Sequence, residues 1–450
     1  MIQLVSCQES RRRIYASMLM ELFDRLSLIP QGAAGPCVRE TLRTLGETVP
    51  IRQREYPTGT ACYDWTVPQE WSVRQAYILD GQGRRLVDYR DHPLHLVERT
   101  VPIRKVVSRE ELLRHLHTRP DLPDSIPYVS ALGGEDWGFC LEHRRLAEFT
   151  EDLYEVVIDA ELAEGTMTIG EGFIQGKTDR EILLSANIWP SSLAVSGLSG
   201  PIVQTMIYRK LLERTNLKYS YRFLYLPETI GSILYLSRHG EHLRSRMAAG
   251  YVVACVGHGE SYTYKKSRRG HSLADKAALH ILKQSGVPYR VVDWSPIGGD
   301  ERHYGSQAFD LPVGSLMRTA YADYPEYRTS LDNRTLISEV AMRQTVDLYL
   351  DVLMTIESNE RYQAMQVHGQ PKLDPKALYP FGGAPRIEAL ERLTAVYSYL
   401  LAFSDGTHDV IDIADKLNLT GKDIAEACSA LEREGLLRPV SDAAERAGVL

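Results

Sequence analysis

The chain has 450 residues, of which 44% are hydrophobic and 25% charged, ordinary values for a globular protein of roughly two to four domains. Its net charge of −7 gives it no overall attraction for nucleic acid or for an anionic membrane. No apolar run approaches the roughly 20 residues that span a bilayer, and the N-terminus has no apolar signal-peptide core. The six scattered cysteines include no CxxC pair, which favours a reducing cytoplasm over a disulfide framework or a cysteine-based zinc site.

Helical patterns open the chain. Apolar residues recur at three- and four-residue spacing from about residue 10 to residue 45, and a second helix is predicted from Pro36 to Gly46 after a glycine-rich break. Between about residues 51 and 107, short alternating or aromatic segments are cut by proline and glycine, which predicts a small all-β unit. The next segment returns to helix, with Ser108 as its N-cap and Glu111 three residues on, as in a capping box.

From about residue 128 to residue 360, predicted strands and helices alternate. Strands are predicted within 154–162, 166–176, 180–188, 219–226, 248–259 and 311–318, and helices within 200–215, 233–247, 273–286 and 338–358. Such alternation predicts an α/β layered domain with a mainly parallel sheet. Ligands of such sheets usually lie beyond the carboxyl ends of the strands.

Residues 366–373 are predicted to be a linker, followed by three amphipathic helices. The last two, within 409–437, have the rhythm of a helix-turn-helix or winged helix. Acidic residues outnumber basic ones in this part of the chain, whereas DNA binding requires lysine and arginine for phosphate contacts. We therefore expect no nucleic-acid partner, and we expect this segment to pack against the core or against another subunit.

Short catalytic motifs are missing from the sequence. It contains no HExxH, no P-loop and no GxSxG. His115 and His117 are predicted to lie two residues apart on a helix, so they cannot face one ligand together. His239 and His242 are three apart near a predicted helix end. Because no acidic residue is spaced to complete a metal site, both pairs are interpreted as surface residues.

Polar residues at the predicted strand ends are more suggestive. They comprise Asn187, Ser196, Glu228, His258, the run from Asp300 to Tyr304, and the run from Arg318 to Asp332. They converge only if the layered α/β prediction is right. The alternative is that they are loop residues that satisfy backbone groups and form salt bridges. Glu228 stands out, because a carboxylate directly after an apolar strand is costly to bury without a partner.

These segments carry a resemblance to a known family. The chain resembles the bacterial aminopeptidase-like proteins with a zinc-exopeptidase fold of the M28 type, in the group that combines a DUF2172-type inserted β domain, a DUF4910 domain and a C-terminal winged helix. The resemblance covers nearly the whole chain and rests on YPTGTACYDWTVPQEW, PDSIPYVSA, DWGFCL, LPETIGSILYLS, GGDERHYG, LMRTAYADYPEYRTSLDN and VYSYLLAFSDGTHDVIDIADKLNL. It implies a three-layer α/β core from residues 1–48 and 107–362, an inserted all-β domain at 49–106, and a winged-helix-like domain at 374–450.

The sequence departs from the family at its implied zinc ligands. Where the family has a run like THICHPSMANDNLSG, this chain has SANIWPSSLAVSGLSG, so Asn187, Pro190 and Ser196 replace two histidines and an aspartate. His258 replaces a carboxylate in CVGH, and Arg328 replaces an imidazole in YRTSLD. Of the implied ligand set, only Glu228 remains.

The replacements are poor zinc ligands. Arginine stays protonated and cannot ligate a metal, and the neutral oxygen donors of asparagine and serine suit zinc badly. His258 with Glu228 supplies at most two donors. We therefore predict no zinc at the family position, no other cofactor, and no zinc-dependent peptidase activity.

Three hypotheses for function remain open. In the first, the inherited pocket binds or transforms a small amine-, amino-acid- or peptide-like ligand, and an anionic group of that ligand takes the metal's place opposite Arg328. In the second, Arg328 pairs with Glu228 and plugs the pocket, so the protein is a non-catalytic structural or interaction component. In the third, the protein is a biosynthetic enzyme that forms or cleaves amides, or transfers acyl groups, without a metal.

Candidate site residues follow from these hypotheses. Glu228, His258 and His303 are the candidates for acid–base catalysis, and Tyr304 is a candidate hydrogen-bond donor. The predicted ligand-binding residues are Asn187, Ser196, Asp300, Glu301, Arg318, Tyr327 and Arg328. The expected partners are a small or peptide-like ligand and a second copy of the chain, with no membrane.

Overall fold

The computed structural model describes residues 18–29, 32, 34–130, 136–189, 193–369, 371 and 387–440. The chain divides into a first unit (residues 1–274 and 287–347) and a second unit (residues 275–286 and 348–450). Among the helices so described, none is long and apolar enough to cross a membrane. The five cysteines within the described residues are reduced, and Cys7 lies outside them.

Sixteen of the described strands belong to the first unit. They are β1 (Arg52–Pro57), β2 (Ala61–Cys62), β3 (Trp65–Thr66), β4 (Glu70–Leu79), β5 (Arg85–Asp88), β6 (Ile103–Ser108), β7 (Leu116–His117), β8 (Phe139–Cys140), β9 (Leu153–Ala163), β10 (Thr166–Ile174), β11 (Glu181–Asn187), β12 (Ser220–Leu226), β13 (Met247–Val252), β14 (Tyr262–Lys265), β15 (Tyr289–Val292) and β16 (Val313–Met317).

The helices follow the same chain order. A helix over residues 18–26 precedes α1 (Pro36–Gly46), α2 (Arg109–Arg114), α3 (Ser199–Leu212), α4 (Ile230–Arg246), α5 (Leu273–Gln284), α6 (Glu301–Tyr304) and α7 (Glu339–Ser358). Most of α5 and residues 348–358 of α7 belong to the second unit, which also contains β17 (Arg361–Ala364), α8 (Ile387–Phe403), β18 (Asp405–Asp409), α9 (Val410–Leu417), α10 (Gly421–Arg433) and β19 (Leu437–Pro439).

A mixed eight-stranded sheet forms the centre of the first unit. Its order is β1-β10-β12-β11-β13-β16-β14-β15. The four middle strands, β12, β11, β13 and β16, run parallel, whereas β1, β10 and β14 each pair antiparallel with a neighbour. β11 and β13 are buried at every position, as expected for strands covered on both faces. The predicted α/β fold is confirmed, with antiparallel strands added on both sides of the parallel centre.

A second sheet is antiparallel, with the order β5-β4-β9-β6. β4, β5 and β6 come from the segment predicted to be a separate β unit, residues 49–106. β9, its longest strand, comes from far outside that segment, and β1 leaves it to pair with β10 in the central sheet. The alternating pattern of a strand predicts its type but not its partner, so the sequence could not place these two strands.

The structure corrects the prediction for His115 and His117. Ser108 does cap α2, since its hydroxyl accepts a hydrogen bond from the backbone N–H of Glu111 at 3.2 Å. The helix ends at Arg114, however, so His115 is its C-cap and His117 belongs to β7. The helical periodicity had been extended too far, because β7 pairs with β8 and draws the chain out of the helix. His239 and His242 both lie inside α4, and His242 lies 2.8 Å from Glu181.

The second unit has a three-stranded antiparallel sheet, in the order β18-β17-β19, and contains the three helices predicted beyond the linker. α9 and α10 each begin with a complete capping box, formed by Asp409 with Asp412 and by Thr420 with Asp423. Of the predicted linker, residues 370, 372 and 373 lie outside the described residues. This short helix–turn–helix arrangement matches the winged-helix prediction.

Candidate functional site

The carboxyl ends of the parallel strands meet at one edge of the central sheet. Asn187 is the last residue of β11 and lies beside Leu226, the last residue of β12. Glu228 follows two residues later. After β13, the carbonyl of Cys255 accepts a hydrogen bond from the N–H of Arg318, which follows β16. The strand-end residues singled out in the sequence are therefore brought to the edge where parallel sheets bind ligands.

Glu228 and Arg328 form a loose ion pair at this edge. Their nearest charged atoms, Oε2 and Nη2, are 3.8 Å apart, beyond hydrogen-bonding distance. The side chain of Glu228 is 14% exposed and that of Arg328 is 50% exposed. Burial raises the pKa of Glu228, and the nearby charges of Arg328 and Arg302 offset this only in part. The carboxylate is thus poorly solvated, and no cationic side chain among the described residues is hydrogen-bonded to it.

The backbone of Arg328 is fixed although its side chain reaches solvent. Its φ angle is +55°, a left-handed conformation that is uncommon for arginine. Its carbonyl accepts a hydrogen bond from the N–H of Tyr128 at 2.9 Å. The guanidinium lies 5.5 Å from the ring centre of Tyr327 and 6.0 Å from that of Tyr128. Two half-buried aromatic rings therefore flank the cation.

The buried side chain of Glu98 holds Tyr128, one of these two rings, in place. It is 1% exposed and accepts hydrogen bonds from the hydroxyl of Tyr128 at 2.6 Å and from the indole N–H of Trp189. Burial raises the pKa of Glu98 to about 7, although both hydrogen bonds favour the carboxylate. Sequence reasoning missed Glu98. The available signal was a carboxylate that directly follows the apolar residues Leu96 and Val97.

Ser196, at a position where the resemblance implies an aspartate, is hydrogen-bonded to Asp332 on another loop. Asp332 is fully buried, and its carboxylate accepts hydrogen bonds from the N–H of Val195 at 2.6 Å, from the hydroxyl of Ser196 at 2.8 Å and from the hydroxyl of Tyr324 at 2.8 Å. Ser196 lies in a single π-helical turn, Ala194–Leu198. The hydroxyl of Ser196 is thus committed to a contact within the protein.

Two further carboxylates, those of Asp300 and Glu301, are near enough to interact electrostatically with Glu228. Asp300 is fully buried, and its Oδ1 accepts a hydrogen bond from the N–H of Thr229 at 2.8 Å. Burial, followed by the charge of Glu228, raises the pKa of Asp300 to about 8. Glu301, also fully buried, pairs with Lys265 at 2.8 Å. Thr229 itself has φ +67° and ψ −75°, a strained conformation directly after Glu228.

Several predicted site residues are used inside the protein. Tyr304 is fully buried, with its hydroxyl 2.9 Å from that of Ser185. Arg318 is 3% exposed and donates to Thr345, Tyr262 and Gln344. The structure places both side chains away from solvent, where they hold the scaffold.

His303 and His258 differ in their surroundings. Burial, followed by the charge of Arg302, lowers the pKa of His303 to about 4, and the ring lies 3.1 Å from the Arg302 guanidinium. His258 is partly exposed, and its Nδ1 lies 3.1 Å from the carbonyl of Leu336. The ring centres of His258 and Tyr324 are 6.2 Å apart.

The residues at this edge do not fit a zinc ion. Asn187, Ser196 and Arg328 stand at three sequence positions where the resemblance implies ligands, and none of them is a good zinc donor. Across the part of the chain that the structure describes, no three histidine, cysteine, aspartate or glutamate side chains are grouped so that they could hold a metal. Pro190, at a fourth implied position, lies outside the described residues.

Comparison with known proteins defines the family. Residues 20–359 match the model described as a domain of unknown function, DUF4910, and residues 360–439 match a winged helix-turn-helix model. The chain belongs to the DUF4910 family. The resemblance seen in the sequence is confirmed for the DUF4910 domain and for the winged helix, and the DUF2172-type insertion stays a prediction.

One curated protein and one solved structure similar to this DUF4910 protein come from Clostridium acetobutylicum. One is 36% identical over 422 residues, which cover 94% of this chain and 96% of the relative, and is provisionally named a polysaccharide biosynthesis protein with an aminopeptidase-like domain. The other is a crystal structure provisionally named a peptidase, with 34% identity and a TM-score of 0.85 over 98% of this chain and all of that chain. The DUF4910 protein is thus an aminopeptidase-like homologue over nearly its whole length.

More distant structures show the fold alone. A zinc aminopeptidase from Bacillus subtilis has 12% identity and a TM-score of 0.56, over 75% of this chain and 94% of that chain. A peptidase M28 precursor from Shewanella amazonensis has 12% identity and a TM-score of 0.53, over 78% of this chain and 97% of that chain. The core of the DUF4910 protein therefore has the fold of the M28 aminopeptidases.

Proposed function

We propose that this protein is an aminopeptidase-fold homologue that acts without zinc and binds a small amine-, amino-acid- or peptide-like ligand at the site around Glu228 and Arg328. The observation that carries the proposal is the loose pairing of these two residues, 3.8 Å apart without a hydrogen bond. Both charges can be reached from solvent, and each retains hydrogen-bonding capacity for a ligand. Asn187, Ser196 and Arg328, which stand at three of the implied zinc-ligand positions, are poor donors for zinc.

Strained backbone supports a functional role for this edge. Thr229 follows β12, Cys255 follows β13 and Arg328 pairs with Glu228, and all three residues have positive φ angles. Such conformations are costly for non-glycine residues and cluster at ligand-binding sites, where the surrounding structure holds them. Their grouping beside Glu228 favours a preorganised binding site over an ordinary set of loops.

The geometry argues against the plugged pocket. A salt bridge that replaced the metal's cross-link would require a buried, hydrogen-bonded pair, because a solvent-exposed ion pair contributes little to stability. Half of the Arg328 side chain remains exposed. Glu228 and Arg328 are therefore better suited to bind a ligand in place of each other than to hold two loops together.

A metal-free biosynthetic enzyme is the second candidate. Burial raises the pKa of Glu228, and a raised carboxyl pKa is a feature of carboxylates that act as general acids or bases. The Clostridium relative that is named for polysaccharide biosynthesis favours a synthetic pathway over protein degradation. In this candidate Glu228 transfers the proton, while Arg328 holds an anionic group of the substrate.

Binding in the absence of metal tests the proposal. The thermal unfolding midpoint is measured in EDTA with the twenty standard amino acids, their amides and a set of dipeptides. We expect at least one probe to raise it, with the same shift after zinc is added, because a ligand at 100 times its Kd stabilises the native state by about 2.7 kcal/mol.

Matched variants locate the binding site. Glu228→Gln and Arg328→Gln should remove the shift, whereas Arg334→Gln should retain it, since Arg334 is a similarly exposed arginine six residues from Arg328. A shift that appears only with zinc, or that survives both site variants, would show that the proposed function is wrong.

A further inference from the structure

Glu228 and Arg328 present opposite charges side by side at the surface of one site. The carboxylate is mostly buried and the guanidinium is half exposed, and the two are close without hydrogen bonding. A ligand that enters between them meets one hydrogen-bond acceptor and one forked donor. The ligand therefore needs a group that suits the carboxylate of Glu228 and another that suits the guanidinium of Arg328.

A ligand with a single charge fits this pair poorly. An anion bound by Arg328 would weaken the attraction that offsets the burial of Glu228, which already faces the charge of Glu301. A cation bound by Glu228 would place two positive charges next to each other, since Arg328 lies within 4 Å of the same carboxylate. A ligand with both charges gives each side chain a partner of its own.

We infer that the ligand is a free α-amino acid or a compound with the same zwitterionic group, whose ammonium binds Glu228 and whose carboxylate binds Arg328. An α-amino acid carries its two charges on one carbon, which suits two protein charges that are already neighbours. A peptide carries them on different residues. This inference rests on the proposed function and narrows its ligand classes to one.

Unpartnered acceptors supply an independent indication of a cationic group. Asn187 is 4% exposed and its Oδ1 has no hydrogen-bond partner among the described residues, and the same holds for Oδ2 of the fully buried Asp300. Buried polar atoms are nearly always satisfied. An ammonium has three donors, so an amine bound at Glu228 leaves two for such acceptors at this edge.

Arg328 is suited to bind the carboxylate of the ligand. A carboxylate can accept two parallel hydrogen bonds from one guanidinium, which makes such contacts both strong and specific in orientation. The strained backbone of Arg328 and the rings of Tyr128 and Tyr327 hold the cation at the mouth of the site. The ligand's carboxylate therefore binds at the exposed end and its ammonium at the buried end.

Isothermal titration calorimetry with three forms of one amino acid tests this inference. The amino acid that most raises the thermal unfolding midpoint is compared with its N-acetyl derivative, an anion, and with its amide, a cation. We expect the amino acid to bind about tenfold more tightly or better than either derivative, because each derivative loses one charge-assisted contact.

The variants should separate the two contacts. Arg328→Gln should abolish the preference over the amide, and Glu228→Gln should abolish the preference over the N-acetyl form. Arg328→Lys, which keeps the charge, should retain part of the preference, and Arg334→Gln should retain all of it. Each preference is a ratio of two affinities of the same variant. It therefore reports the loss of a specific contact and not a general loss of stability.

Two results would overturn the inference, and they differ. If a derivative or a dipeptide binds as tightly as the amino acid, and the site variants weaken it, the zwitterion is wrong while the proposed function stands. If no amino acid, derivative or dipeptide binds the wild-type protein, both fail.

Discussion

Replacement of Asp332 by asparagine is expected to lower the free energy of unfolding by roughly 3–5 kcal/mol. The carboxylate is fully buried and accepts hydrogen bonds from the backbone of Val195 and from the hydroxyls of Ser196 and Tyr324. An asparagine of the same shape would direct its NH₂ group at one of these donors. Loss of this network would release the turn that carries Ser196 from the loop that carries Arg328.

Tryptophan fluorescence during urea unfolding measures this effect, because all five tryptophans lie in the first unit. Ser196→Ala is the matched control. It removes one of the same hydrogen bonds and leaves the carboxylate, so it should cost only about 1 kcal/mol. Equal stability of Asp332→Asn and the wild-type protein would show that Asp332 does not join the two loops.

Arg222→Met is expected to destabilise the first unit by a similar amount, roughly 3–5 kcal/mol. Arg222 on β12 lies between Glu171 on β10 and Glu181 at the start of β11, whose side chains are 6% and 3% exposed. Its Nε donates to Glu181 at 2.7 Å. Without the guanidinium, two carboxylates would stay buried with weaker partners, Arg54 for Glu171 and His242 for Glu181.

The effect of Arg222→Met should depend on pH. Burial alone would raise the pKa of Glu181, but Arg222 and His242 hold it below its ordinary value of 4.5. A depressed pKa contributes stability above the ordinary value, and that contribution is lost as the pH falls through the folded-state value. The difference between wild type and variant should thus be largest at neutral pH and shrink below pH 4.5.

Arg54→Met provides the comparison for this network. Arg54 is 32% exposed and contacts only the Glu171 side of the network, while Arg222 still pairs with that carboxylate. We expect a loss of about 1 kcal/mol or less. If Arg54→Met and Arg222→Met were equally mild, the buried network would contribute little to the sheet.

The sequence predicted the ends of β11 and β12 to within one residue, because local pattern determines them. β11 and β12 are mainly apolar and buried, and polar residues follow near the end of each strand, so Asn187 and Glu228 could be expected to lie together. α1 was predicted with the bounds that the structure shows, Pro36 to Gly46, since a proline begins it and a glycine ends it.

Other residues could not be placed from local pattern. The hydrogen bonds of Glu98, and those that join Asp332 to Val195 and Ser196, come from partners 30 to 137 residues away in the chain. Tyr304 and Arg318 were candidate ligand contacts by position, yet the structure turns them inward to Ser185 and Thr345. Side-chain direction beyond a strand end depends on packing between distant segments, which a period of two or 3.6 residues does not encode.

The central claim is that the site around Glu228 works without zinc. Its most direct test is the zinc content of purified protein that has been stripped with EDTA, re-equilibrated with excess zinc and freed of unbound metal, measured by inductively coupled plasma mass spectrometry. We expect far less than one zinc per chain, and the same content in wild type and Glu228→Ala. Nearly one zinc per chain that Glu228→Ala removes would contradict it.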